Sequence, residues 1–202
     1  MRFELKNTDF YKKTVIIMLP VLLQQLITIG INFCDNVMIG GFGEMQISAA
    51  SFANQFYSFF QFVCMGLGSG AVVMSSQFWG RRELESMRTT AAIAMRVTAV
   101  ICLGFTVLTV AFPRVVLLFF TNDEGIIAAG LMYVRLIGLT FFMSGLASTA
   151  TYLLRSVGQV KVPLLGSAIA FFLNLFFNWV FIFGRLGAPR LELVGAAVGT
   201  LI

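Results

Sequence analysis

Residues 19–43 are mostly apolar and about long enough to cross a bilayer, since roughly 20 helical residues span 30 Å of hydrocarbon. Comparable runs recur along the chain, and the sequence predicts spans at 14–39, 47–78, 91–112, 126–154 and 162–183, with a sixth opening at 193–202. Few soluble folds can use such a series. Charged residues make up 11% of the chain, against about 25% in an ordinary soluble domain, and hydrophobic residues make up 58%. The chain therefore reads as an all-α membrane protein, a six-helix transmembrane bundle whose sixth helix is truncated. It stops as another apolar run begins, so we expect an N-terminal portion of something longer.

Inside the first run sits one acid, Asp35. A carboxylate at membrane depth costs roughly 2.5–3.5 kcal/mol on insertion scales, so it needs a use or a partner. Gln24, Thr28, Asn32 and Asp35 follow one another at steps of four, four and three, which puts them on one helical face. We expect that face to look inward and its opposite to meet lipid. Pro20 removes a backbone donor from the same helix and is expected to bend it. Asn54, Ser58 and Gln61 form a second polar stripe in the second run, and Gly66 and Gly70 set a GxxxG spacing suited to close helix approach. Glycines 40, 41 and 43 mark a turn between the first two runs, and the segment 80–90 reads as a charged connection. The run 115–120 is too short to cross and is expected at the interface.

Three readings stay open for Asp35: a proton or cation site, a hydrogen-bonding link between helices, or a group among the outer headgroups. Asn174 and Asn178, one turn apart in the fifth run, are candidates for the other wall of the same pocket or for links that hold helices together. Arg135 lies near the outer end of the fourth run, where its head can reach the headgroups or pair with an acid.

Basic residues gather before the first run, between the second and third, and between the fourth and fifth. The positive-inside rule then puts the N-terminus in the cytoplasm of a multi-pass protein of the cell membrane. Arg185 and Arg190 lie on the opposite side as a mild violation. The net charge of +5 is explained by this topology and is no nucleic-acid signal. The first run is too long for a signal peptide and lacks a small-x-small cleavage site.

There is no histidine, no metal-ligand spacing among Cys34, Cys64 and Cys102, no phosphate-binding loop and no nucleophile elbow, so an enzyme, a cofactor and a resident metal are not expected. Nor is there a filter-like loop for a channel. A polytopic carrier or a membrane assembly subunit remains.

Several motifs then stand together. They are Pro20 followed by Asp35-Asn-Val-Met-Ile-Gly-Gly-Phe-Gly43, Ala49-Ala50, Gln77-Phe-Trp-Gly80, and Leu154-Arg-Ser-Val-Gly158 with Lys161-Val-Pro163. After them come Asn174-x-x-x-Asn178, Ile182-Phe-Gly184, Gly187, Pro189 and Gly195-Ala-Ala-x-x-Thr200. In this order they resemble the N-terminal half of the multidrug and toxic compound extrusion (MATE) transporters, across essentially the whole chain. The resemblance implies half of a twelve-helix fold with a cleft between two bundles. It also implies export of organic cations or drugs by antiport with Na⁺ or H⁺, with the C-terminal bundle of the same chain as the missing partner. It implies coupling by Asp35, Asn174, Asn178 and Thr200, with Na⁺ at Asp35 if that is the ion. Gln24, Thr28, Asn32, Asn54, Ser58 and Gln61 become candidates for the cleft wall. The Asn178 position is an aspartate in some members, and Glu192 stands where a small residue is usual. Two rivals remain: a related flippase for lipid-linked saccharides, and a membrane scaffold that transports nothing.

Overall fold

A computed structural model describes residues 8–39, 43–184 and 192–201. The described residues form seven helices: α1 (Thr8–Ile39), α2 (Glu44–Gly80), α3 (Leu84–Ala111), α4 (Pro113–Leu118), α5 (Glu124–Ser156), α6 (Lys161–Phe183) and α7 (Glu192–Leu201). Five of them, all but α4 and α7, are long and apolar enough to cross a membrane. The expectations for Arg2, Lys6, Gly40, Gly41, Arg185, Gly187, Pro189 and Arg190 lie outside the described residues, as does the side chain of Glu192.

Several helices extend past the spans read from the sequence: α1 begins at Thr8 rather than 14, and α2 runs from Glu44 to Gly80 rather than from 47 to 78. The charged connection is shorter than 80–90, because α3 begins at Leu84 and takes Glu85 and Arg88 into its first turns. An acid in a first turn is favoured there by the helix dipole. Arg82 makes the tight turn between α2 and α3 at φ 60. The start of α5 also differs, two residues before the predicted 126. The Asp123 side chain accepts from the backbone N–H groups of Gly125 (2.8 Å) and Ile126 (3.3 Å), which caps α5 and lets it start at Glu124.

Packing sorts the helices into two groups. α5 lies against both α2 and α3, and those two also meet each other. Their shared core is aromatic, with Phe60 stacked on Phe141 at 4.7 Å between centroids and edge-on to Phe105 at 5.3 Å. Cys64 and Cys102 are fully buried beside it as free thiols, while Cys34 on α1 is half-buried. The hydroxyls of Thr98 and Thr149 meet at 3.0 Å between α3 and α5. α4 is the short run after Pro113, and it turns Val116 and Leu117 into this core.

α1 and α7 pack chiefly on α6, and α7 also touches α5. α5 and α6 are joined by a tight turn, with Gly158 at φ 77, yet they pack on each other only slightly. α1 runs unbroken through Pro20. Leu19, Leu22, Leu26, Ile29, Phe33 and Val37 form an exposed apolar stripe along it, suited to lipid.

The GxxxG expectation needs correcting. Among the described residues, a side chain on Gly66 or Gly70 would meet open space, so neither sets a helix contact within this bundle. The close approach is made by Gly68, where a Cβ would lie 2.2 Å from the Tyr152 ring of α5.

Candidate functional site

Asp35 sits four residues from the end of α1, half-buried, on the side facing α6. Asn178 Nδ2 donates to Asp35 Oδ1 at 2.5 Å and is also within 3.2 Å of Asn174 Oδ1. The two asparagines can share this task because residues four apart on a helix stack on one face. Asn174 Nδ2 in turn lies 3.5 Å from Thr200 Oγ1 on α7, and that hydroxyl donates to the Ala196 carbonyl at 2.9 Å. The structure thus brings Asp35, Asn178, Asn174 and Thr200 into one polar chain across α1, α6 and α7. It grades from fully buried Asn178 to exposed Thr200.

One atom in this chain is left over. Asn178 Oδ1 is buried and has no hydrogen-bond partner. A buried acceptor without a donor costs about 1–3 kcal/mol. Gly199 of α7 stands against it: a Cβ there would lie 2.0 Å from Asn178 Oδ1 and 3.0 Å from the Asn178 backbone nitrogen. The glycine is what lets α7 come close enough to place Thr200 near Asn174.

The sequence reading missed Gly199, although its position one residue before Thr200 was a usable signal.

The rest of the α1 stripe divides. Gln24 is buried and makes two contacts away from Asp35: its Nε2 donates to Ser167 Oγ of α6 at 2.9 Å, and its Oε1 accepts from Arg155 Nη2 of α5 at 2.6 Å. Thr28 and Asn32 are exposed, and the Thr28 hydroxyl donates to the Gln24 carbonyl at 3.0 Å. Among the described residues of the stripe, Gln24 and Asp35 bond to other helices, while Thr28 and Asn32 do not. On α2, Ser58 is exposed and donates to the Asn54 carbonyl. Gln61 Nε2 donates to the Tyr57 hydroxyl at 2.6 Å, and Ser148 Oγ of α5 lies 3.4 Å from Gln61 Oε1. This α2–α5 cluster is separate from the Asp35 chain in its hydrogen bonding. Arg135 is exposed.

A charged carboxylate offers only acceptors, and Asp35 Oδ1 takes the Asn178 Nδ2 donor. Asn174 Oδ1 accepts from the same nitrogen, so one amide links the acid to the rest of the polar chain.

The sequence model of the MatE family matches residues 20–180. Two relatives, each named as a probable multidrug resistance protein NorM, come from Thermotoga maritima and Halalkalibacterium halodurans. They are 24% and 29% identical over 198 and 204 residues, covering 96% and 95% of this chain. The chain spans about 42% of the length of either. Among solved structures, a MOP superfamily transporter from Pyrococcus furiosus superposes with a TM-score of 0.84 at 19% identity, over 94% of this chain and 41% of its own. An outward-facing multidrug resistance MATE family transporter gives the same score, identity and coverage.

Proposed function

This chain belongs to the MatE family, and from that premise we propose that it forms the N-terminal bundle of a secondary active exporter of organic cations or drugs. The carrying observation is the bond from Asn178 to Asp35 at 2.5 Å, which gives the acid a partner on α6 and joins it through Asn178 to Asn174 and Thr200. Asp35 is loaded with H⁺ or Na⁺ from outside and unloaded inside. Loading changes how the acid meets Asn178, and so how α1 sits on α6. Substrate leaves when the ion arrives, which requires that each ligand bind the two states of the protein with different affinity. The cleft opens between this bundle and a second one in the same chain, and the two halves rock about it. The protein lies in the cell membrane with its N-terminus in the cytoplasm.

A lipid-linked saccharide flippase would need cations for pyrophosphate at such a site. Among the described residues, the hydrogen-bond chain running from Asp35 consists of amides and a hydroxyl, which favours the exporter. The test uses the full-length transporter. Asp35→Asn, at membrane abundance equal to wild type, is expected to reduce efflux of a cationic dye to the background of cells without the protein. Undiminished efflux would remove Asp35 from the mechanism, and efflux absent from wild type itself would remove the exporter reading.

A further inference from the structure

Gln24 lies eleven residues before Asp35, about 16 Å along the helix. There the bundle is crossed by a second chain of contacts. Gly68 on α2 receives the ring of Tyr152. The Arg155 guanidinium lies over that ring at 5.6 Å and donates through Nη2 to Gln24 on α1. Gln24 donates onward to Ser167 on α6. Four helices are thus linked through residues that pack or bond end to end.

The link matters because α1 and α5 have little other contact. α1 rests on α6, and α5 rests on α2 and α3. The two groups otherwise meet chiefly where α7 packs on α5, so the bond from Arg155 to Gln24 is a separate tie, joining α1 directly to α5. Its chemistry is that of a tie that opens. The acceptor is a neutral amide, whereas a carboxylate in its place would form an ion pair. The Arg155 side chain is half-buried, and its Nε is buried without a partner. A guanidinium with an unused donor and an aromatic face to rest on can stay on Tyr152 when Gln24 leaves.

We propose that Arg155 is a positioning residue whose bond to Gln24 is a releasable tie, closed in this arrangement and opened when α1 moves. The proposal rests on the exporter reading. It differs from that reading in what it demands: making the tie stronger must slow the cycle.

In the full-length transporter reconstituted in vesicles, Gln24→Glu replaces the amide with a carboxylate facing Arg155. Ionised bonds are roughly twice as strong as neutral ones, so dye turnover is expected to fall about fivefold with KM within about twofold of wild type. Turnover should recover in Gln24→Glu/Arg155→Gln, which has no ion pair. As a second arm, Gln24→Cys/Arg155→Cys is joined by a short bifunctional thiol reagent in an otherwise cysteine-free background. Joining is expected to stop efflux and reduction to restore it, each sample serving as its own control for folding. Wild-type turnover in Gln24→Glu, or full efflux by the joined protein, would overturn the tie while leaving the exporter reading intact. An inactive wild type would overturn the exporter reading instead.

Discussion

Gly199 and Asn178 face each other so closely that one added methyl would stand 2.0 Å from the Asn178 Oδ1 oxygen. The helix pair α6–α7 is therefore spaced by the absence of a side chain, and the spacing sets where Thr200 and Asn174 meet. Gly199→Ala must push α7 away or turn the amide off Asp35. Overpacking of this kind costs about 1–3 kcal/mol. We expect a lower melting temperature in detergent and strongly reduced dye efflux. Gly166→Ala on α6, where a Cβ meets open space, is the control and is expected to leave both unchanged.

Asp35 and Asn178 act on one another directly, so their substitutions should not add. Asn178→Leu removes the donor while keeping a similar volume. Groups that share a hydrogen-bond network show coupling energies of about 0.5–3 kcal/mol in double-mutant cycles. The losses in melting temperature of purified Asn178→Leu and Asp35→Asn, measured in the same detergent, should not add in the double variant. Losses that add in full would separate the two residues.

Much of this was legible in the sequence, for physical reasons that can be named. The runs had to be helices of membrane length, so the order of elements followed from hydropathy alone. Asp35, Asn174 and Asn178 stood out because polar groups in apolar runs are expensive and few. The packing partners were less legible. Gly66 and Gly70 satisfy the spacing for a close helix pair, but which glycine faces the neighbour depends on helix rotation, and that is set by Tyr152 far along the chain. Gln24 and Thr28 lie on one stripe by periodicity, yet of the two only Gln24 bonds to other helices, because its fate depends on Arg155 of α5 and Ser167 of α6.

The glycine result gives a sharp contrast within one helix. Gly68→Ala should clash with the Tyr152 ring, whose Cδ2 and Cγ would lie at 2.2 and 2.7 Å, too deep in the ring for a small rotation to relieve. The expected cost is about 1–3 kcal/mol. Gly66→Ala and Gly70→Ala meet nothing, and each exchanges glycine for a better helix former, so they should be neutral or slightly stabilising. Melting of the three purified variants in the same detergent checks this. Equal losses at all three would restore the GxxxG reading.

Thr98 and Thr149 offer a test of how the α3–α5 contact is held. Both are fully buried, and their hydroxyls share one hydrogen bond at 3.0 Å. Such bonds between membrane helices average about 0.6 kcal/mol and reach about 1.7. Replacing one threonine with valine keeps the shape and leaves the other hydroxyl without its interhelical partner. Replacing both removes the bond together with the need for it, because no orphan remains. Thr98→Val and Thr149→Val should therefore each lower stability modestly, while the double variant should regain most of the loss. The sign of that recovery decides whether the pair is a polar link tolerated within an apolar interface or the principal attachment of α3 to α5. A double variant less stable than either single one would favour attachment. Recovery would assign the attachment to the aromatic core around Phe60, Phe105 and Phe141.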